Sequence, residues 1–151
     1  METKDDLLQP SLGRDDSPAT SMYSAQTGYL ASFFGGPLAG AVIALANSHR
    51  LKRLGIDWPL GIVAGLATIL PQWWLIRGGN AWLTSHLGNG MQSLLLRALG
   101  LGFFSLAYGW HRQYYRNMAL LGIKPHSGLP LGVAAVIGSI ALNFALWRLL
   151  S

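Results

Sequence analysis

Side chains that can do acid–base, nucleophilic or metal chemistry are scarce in this sequence. Cysteine is absent, and the histidines at positions 49, 86, 111 and 126 include no pair at the i, i+4 spacing of a helical metal site. Beyond residue 16 the single acid is Asp57. Hydrolytic or transfer chemistry requires such groups to meet in one pocket. We therefore expect no enzymatic activity, no bound metal and no cofactor.

Asp57 itself has a simpler interpretation. It stands directly before Trp58 and Pro59, at the start of an apolar run. Aspartate is a favoured helix N-cap residue, and proline is favoured in the first helical turn. We expect Asp57 to cap the helix that follows it.

The elements that must position these residues are those of a membrane protein. Of the 151 residues, 51% are hydrophobic and 11% are charged, and the mean hydropathy is +0.34. Soluble domains average roughly 25% charged residues. Four apolar segments are close to the roughly 20 residues that a spanning helix needs. They predict an all-α, polytopic membrane fold with transmembrane helices at about 27–46, 58–76, 91–110 and 129–147, after an acidic, mobile tail over residues 1–26.

Polar side chains within or beside the apolar segments are the candidates for a membrane site. The third segment contains Arg97, which either snorkels to the interface or faces a polar interior of the bundle. Four amides lie at the predicted outer ends of the segments: Gln72, Asn80, Asn89 and Asn143. These amides would line a shallow outer vestibule or face lipid headgroups.

Basic residues occur in short clusters between the apolar segments. This placement argues against nucleic-acid binding, which uses a basic patch on a polar domain. Cytoplasmic loops are enriched in Lys and Arg. The connections after the first and third segments carry six bases, whereas Arg77 and Arg148 lie on the other side. We expect both connections in the cytoplasm and both termini outside. The six bases, which would also contact anionic lipids or an acidic partner, are Arg50, Lys52, Arg53, Arg112, Arg116 and Lys124.

The most distinctive stretch lies in the first segment. Gly35, Gly36 and Pro37 are followed by Gly40. Proline removes a backbone donor and clashes with the preceding turn, so the helix is expected to kink or unwind there. We expect this break to let neighbouring helices pack closely. The alternative is a transport pathway built on the open helix ends together with Arg97.

Small residues four apart predict one tightly packed face on each helix. The pairs are Gly36 and Gly40, Gly61 and Gly65, Ala98 and Gly102, and Ala134 and Gly138. Short internal matches, 54–56 with 121–123 and 59–62 with 130–133, leave open two tandem helical hairpins related by a parallel repeat.

The first segment also carries a resemblance. Its residues are Tyr29, Ala31, the run Phe34-Gly35-Gly36-Pro37-Leu38-Ala39-Gly40, Asn47 and Arg53-Leu54-Gly55. This stretch resembles the opening of a group of small, uncharacterised bacterial membrane proteins that share a Gly-Gly-Pro-Leu-Ala-Gly run in their first helix. The resemblance implies a bacterial inner membrane, and it lends no activity.

These features favour a non-catalytic integral membrane protein that serves as an accessory, assembly or interaction subunit. Its partners would be the lipid bilayer, anionic lipids, and another membrane protein or a second copy of itself. The alternative is a small transporter or channel, expected as a homodimer.

Overall fold

The computed structural model describes residues 21–88 and 90–150, and this part of the chain is built from helices. The predicted all-α fold is confirmed, with four helices long and apolar enough to cross a membrane. The elements are α1 (Ala25–Arg50), α2 (Leu54–Asp57), α3 (Pro59–Trp74), a π-helical segment (Leu75–Gly79), α4 (Asn80–Leu87), α5 (Met91–Leu120) and α6 (Leu129–Leu150).

Helix α5 extends ten residues past its predicted end at 110, because helix-forming polar residues continue it beyond the apolar window. It ends where Gly122 adopts a positive φ of 66°, a conformation that glycine adopts without strain. The predicted outer loop over 77–90 is largely helical, since it contains the end of the π-helical segment and α4. The predicted tail lies, up to residue 20, outside the described residues.

Helix α1 folds back on itself at Gly36. The backbone of Gly36 has φ 73° and ψ −164°, which is not helical. A straight helix of this length would separate its ends by about 39 Å. Instead, the Tyr23 amide donates to Asn47 Oδ1 at 2.7 Å, and Arg50 Nη1 donates to the Ser21 carbonyl at 2.6 Å. The helix therefore consists of a first arm (residues 25–35) and a second arm (residues 37–50), packed antiparallel.

The two arms are in close contact. A Cβ atom added to Gly40 on the second arm would overlap the hydroxyl of Ser32 on the first arm. Ala31 of the first arm lies in one buried cluster with Ala39 and Ile43 of the second arm. Small side chains thus allow the two backbones to approach each other, as between separate membrane helices.

The folded-back helix enters the bundle without crossing it. Its open end lies beside Tyr115 of α5, which accepts a hydrogen bond from Asn47 at 2.8 Å. Its tip lies beside Gly100, where an added Cβ would be 2.9 Å from Gly36 Cα. Gly100 and Tyr115 are separated by about 22 Å along the helix axis, less than the hydrocarbon thickness of about 30 Å. The break predicted in segment 27–46 is present, and the helix reverses its direction there.

Helices α3, α5 and α6 enclose the two arms. On α6, Ser139 Oγ donates to the Gly35 carbonyl, and Ala135 joins the buried cluster of the arms. On α3, Ala64 packs with Ala41 and Ala44 of the second arm. Half of the 26 residues of α1 are buried by these contacts.

The predicted small-residue faces are only partly correct. Gly40 and Gly61 approach neighbouring side chains, but Gly65, Gly102 and Gly138 have open space around them. In α5 the close contact is at Gly100, and in α6 it is made by a stripe containing Gly132, Ala135 and Ser139. The rotation of each helix depends on its partners, which the i, i+4 spacing does not specify.

Residues 21–24 lie at the same end of the molecule as the basic connections, which we call the basic end. The amide of Ser24 donates to the His126 carbonyl at 3.2 Å, and the amide of His126 donates to the Met22 carbonyl at 2.8 Å. The N-terminal flank and these connections were expected on opposite sides of the membrane; residues 21–24 lie at the same end of the molecule as the connections because α1 returns to where it began. The tandem repeat stays a prediction: Pro59 and Pro130 both lie in first helical turns, whereas α1 is folded back and α5 is continuous.

Candidate functional site

The break in α1 is built from residues that suit an interrupted helix. Gly36 adopts a positive φ that favours glycine, and Pro37 begins the second arm, where its missing N–H leaves no unsatisfied donor. The carbonyl of Gly35, at the end of the first arm, accepts a hydrogen bond from Ser139. The expected break is present, and its freed backbone groups lie within the bundle, where non-helical backbone is tolerated in a membrane.

A cavity of about 660 Å³ lies beyond the tip of α1, at the end of the molecule opposite the basic end. Leu96 lies between the tip of α1 and the cavity. It lines the cavity, and its carbonyl oxygen would be 3.9 Å from a Cβ atom added to Gly36. Asn143, one turn beyond Ser139 on α6, also lines it. The lining side chains are uncharged: the amides of Gln72, Asn80, Gln92 and Asn143, with Leu75, Ile76, Ala81, Leu96 and Phe144.

The π-helical segment that follows α3 forms part of the cavity wall. The helix that continues from α3 passes through the π-helical segment, where Gly78 has φ 119°. Helix α4 follows this interruption, and π-bulges and non-helical glycines bend helices. The cavity lies between the π-helical segment, the start of α5 and the end of α6.

Gln72 and Asn143 form a polar pair in the wall of this cavity. Gln72 Nε2 donates to Asn143 Oδ1 across the α3–α6 contact. Gln72 is only 8% exposed, and its Oε1 is buried with no hydrogen-bond partner among the described residues. A buried acceptor without a partner costs about 1–3 kcal/mol. The protein therefore keeps one buried polar atom without a partner in the wall of the cavity.

The amides expected at the outer ends are largely brought together. Gln72, Asn80 and Asn143 line the cavity, and Asn89 lies outside the described residues. Arg97 is not part of it: this residue is exposed on the outside of the bundle, with its guanidinium 5.0 Å from the centre of the Phe33 ring. Its exposure in the second turn of α5 agrees with the snorkelling alternative.

A second polar cluster lies at the basic end, around Asp57. The prediction that Asp57 caps α3 is wrong. The N-cap position of α3 is occupied by Trp58, and no side chain donates or accepts a capping hydrogen bond there. Instead, the buried Asp57 carboxylate accepts from Trp110 Nε1 at 3.0 Å and contacts His111 Nε2 at 3.0 Å. Ser48 Oγ lies 3.2 Å from the same His111 nitrogen.

This cluster contains the residue types of a catalytic triad but not its geometry. A triad requires the carboxylate and the hydroxyl on opposite imidazole nitrogens, so that the free nitrogen can accept the hydroxyl proton. Here Asp57 Oδ2 and Ser48 Oγ both contact Nε2 of His111. Ser48 is fully buried and donates to the Ala44 carbonyl at 3.0 Å. The cluster ties α1, α2 and α5 together.

The histidines at positions 111 and 126 have different partners. His111 is held by Asp57, whereas His126 pairs through its backbone with the N-terminal flank. Among residues 21–88 and 90–150, no group of three His, Cys, Asp or Glu side chains is close enough to hold a metal ion.

The six predicted basic residues fall into two groups. Arg50 holds the N-terminal flank through the Ser21 carbonyl and the Tyr23 ring, and Arg53 donates to the Tyr114 hydroxyl. The other four are exposed at the basic end: Lys52, Arg112, Arg116 and Lys124.

No known protein family, characterised protein or solved structure matches the chain. The site must therefore be interpreted from its own geometry.

Sequence reasoning missed Gln92 and the contact between Asp57 and His111. The one signal for that contact was a lone acid beside an apolar segment, and a buried charge needs a partner.

Proposed function

We propose that this chain is a small, non-catalytic membrane protein that binds a polar solute in the cavity beyond α1 and passes it across the bilayer. The observation that carries the proposal is the folded-back α1, whose tip lies next to a cavity lined with amides. Interrupted helices whose ends approach a polar site are a recurrent device of membrane transporters.

The closed basic end supports a gated pathway rather than an open pore. Tyr115 OH donates to the Tyr23 carbonyl at 3.3 Å and accepts from Asn47, and the cluster around Asp57 seals the neighbouring gap. The cavity therefore has access to one side only. Passage would require the arms of α1 to separate from α5 at the basic end.

The threading follows from the positive-inside rule applied to this fold. The basic end faces the cytoplasm, so the N-terminal flank is also cytoplasmic, and the cavity and the end of α6 face outside. The four exposed bases attract anionic headgroups by about 1 kcal/mol each. The bacterial inner membrane, implied by the resemblance of residues 29–55, is the location we propose.

The accessory function remains the second candidate, and one specific observation favours it. A groove of about 280 Å³, with an almost entirely apolar lining, runs between the first arm and α6. Leu30, Phe34, Val133 and Ile137 line it. Such a groove accepts a helix of another membrane protein or of a second copy. Recovery of a stoichiometric membrane partner in mild detergent, without solute flux, would favour this function.

Solute flux into vesicles that contain the reconstituted protein tests the transport proposal. Because the sequence contains no cysteine, a thiol reagent reacts only with a cysteine that is introduced by mutation. A membrane-impermeant thiol reagent should block flux in Asn143→Cys, whose side chain lines the cavity. It should not block flux in Ala134→Cys, which is exposed on the same helix away from the cavity. Absence of flux above that of empty vesicles for charged and uncharged solutes alike would refute the proposal.

A further inference from the structure

The apolar groove between the first arm of α1 and α6 has the shape of a site for a lipid chain. We propose that it binds one acyl chain of an anionic phospholipid from the leaflet at the basic end. This ligand belongs to the membrane and is separate from the solute of the cavity. Its binding therefore does not rest on the proposed transport.

The groove has a floor of small side chains and two rims of large ones. Thr27 and Ala31 of the first arm and Gly132 of α6 line it and are buried. A Cβ atom added to Gly132 would be 3.0 Å from Thr27 Cγ2, so the two backbones are close along the floor. Residues spaced four apart form a ridge along a helix, and two such ridges bound a channel between them. The exposed rim residues are Leu30 and Phe34 on the first arm, and Leu129, Val133 and Ile137 on α6.

The surface of the groove is that of a hydrocarbon. Among its lining residues Thr27 alone has a polar side chain, and Thr27 Oγ1 is already paired with Ser24 Oγ at 2.9 Å. A polar ligand buried here would lose its hydrogen bonds to water without replacement. An unfilled groove would forfeit the dispersion contacts of its walls. An alkyl chain meets both conditions.

The length of the groove corresponds to one leaflet. The groove begins at Leu129, the first residue of the membrane span in α6. It ends at Ile137, about 12 Å further along the helix axis. One leaflet contributes about 15 Å to the hydrocarbon core of roughly 30 Å. An acyl chain ends within its own leaflet, whereas a transmembrane helix of a partner continues through both.

The width of the groove also favours a single chain. A volume of about 280 Å³ over this length gives a cross-section of about 23 Å². A helix about 10 Å in diameter has a cross-section of roughly 80 Å². One extended hydrocarbon chain can lie in this space, whereas a partner helix could enter it only with individual side chains.

The groove begins at the basic end, where a phospholipid headgroup would lie. Gly128, directly before Leu129, packs against the N-terminal flank, since a Cβ added to it would be 2.9 Å from Tyr23 Cδ1. Lys124 is exposed on the connection that leads to Leu129, and its backbone is at most about 18 Å from that residue. A base near the membrane surface attracts anionic headgroups by about 1 kcal/mol. The position of Lys124 therefore favours an anionic phospholipid.

Photo-crosslinking of the full chain in nanodiscs tests the site. The probe is phosphatidylglycerol with a diazirine midway along one acyl chain, present as a minor component in phosphatidylcholine. Mass spectrometry of peptides identifies the crosslinked residues. We expect the crosslinks to be concentrated on the groove residues within 27–34 and 129–137. Crosslinks spread equally over all exposed apolar residues of α3 and α6 would overturn the proposal.

Two isoleucines on the same helix provide a matched pair of variants. Ile137→Trp adds bulk at the deep end of the groove, whereas Ile140→Trp adds the same bulk outside it. Both side chains are exposed, by 63% and 56%, so neither exchange enters the core, and both variants should keep the helical circular dichroism of the wild type. Ile137→Trp should lose the groove crosslinks, and Ile140→Trp should keep them. Groove crosslinks that persist in Ile137→Trp would contradict the site.

The headgroup is tested by placing the same diazirine chain on phosphatidylcholine and in free palmitic acid. We expect phosphatidylglycerol to give the most groove crosslinks. Lys124→Gln should remove its advantage over phosphatidylcholine, and Lys52→Gln, at another exposed position of the basic end, should retain it. Equal crosslinking by the two phospholipids, or stronger crosslinking by palmitic acid, would refute an anionic phospholipid as the occupant.

A protein occupant would give a different result. If a helix of a second copy or of another membrane protein filled the groove, the wild type would show no lipid crosslinks there. A copurifying polypeptide would then be lost in Ile137→Trp. This outcome would overturn the lipid site and support the accessory function. Absence of solute flux would refute transport alone, because the lipid probe binds outside the cavity.

Discussion

The folded-back α1 makes a prediction that a straight helix does not. Gly40 and Ser32 are eight residues apart, which separates them by about 12 Å along a straight helix. In this fold they touch, because a Cβ on Gly40 would overlap Ser32 Oγ and lie 3.3 Å from Ser32 Cβ. Gly40→Ala should therefore destabilise the protein, and Ser32→Ala should relieve most of that effect by removing the hydroxyl.

The magnitude can be worked out from these contacts. Forcing extra carbon into a packed site costs about 1–3 kcal/mol. Ser32→Ala on its own loses the hydrogen bond from Ser32 Oγ to the Gly28 carbonyl at 2.8 Å, which is worth about 1 kcal/mol. We expect the double variant to be more stable than the sum of the single effects by about 1–2 kcal/mol, since contacting residues couple in this range.

The assay is reversible unfolding of the purified protein in mixed micelles with increasing sodium dodecyl sulfate, followed by tryptophan fluorescence. Gly65→Ala serves as the control, because Gly65 on α3 has open space around it and should show no coupling with Ser32→Ala. Additivity of Gly40→Ala and Ser32→Ala within about 0.5 kcal/mol would mean that the two residues do not touch, and the folded-back arrangement would be refuted.

Three further predictions follow from the same fold. Gly100→Ala should be less stable than Gly102→Ala by about 1–3 kcal/mol in the same unfolding assay, because a Cβ at Gly100 meets the backbone of α1 whereas Gly102 is open; equal stability would contradict the packing of α1 on α5. An impermeant thiol reagent should label Ser85→Cys in intact cells and Ser21→Cys only after the cytoplasm is opened, and equal labelling in intact cells would contradict the threading. Asp57→Ala should lower stability by about 1–3 kcal/mol, since Trp110 and His111 lose the buried carboxylate that they contact; a stability equal to that of the wild type would mean that this cluster does not stabilise the fold.

Much of the backbone plan could be predicted from the sequence, but not the course of α1. Hydropathy identifies apolar stretches, and the glycines beside Pro37 indicate an interruption. A glycine in this position permits either a modest kink or a complete reversal, because both are accessible to its unrestricted backbone. The reversal at Gly36 is determined by packing against Gly100 of α5 and Ser139 of α6, which lie more than 60 residues further along the chain.

The site shows the same division between local and distant information. The positions of Gln72 and Asn143 relative to the apolar segments place both amides near one membrane face. Their pairing requires the rotations of α3 and α6, which no spacing within either helix specifies. Asp57 was misassigned for the same reason: its local context matches a helix cap, while its partner His111 lies 54 residues away.

The enclosure of α1 has a consequence for biogenesis. The arms of α1 leave the ribosome before α5 and α6, which supply the groups that shelter them: Tyr115, His111 and Ser139. Before α6 is present, the Gly35 carbonyl lacks its Ser139 partner, and an unpaired backbone group is unstable in lipid. We therefore expect the folded-back α1 to stay at the membrane surface, or beside the insertion machinery, until α5 and α6 have inserted. Helix α1, although synthesised before α5 and α6, is thus expected to reach its final depth after them.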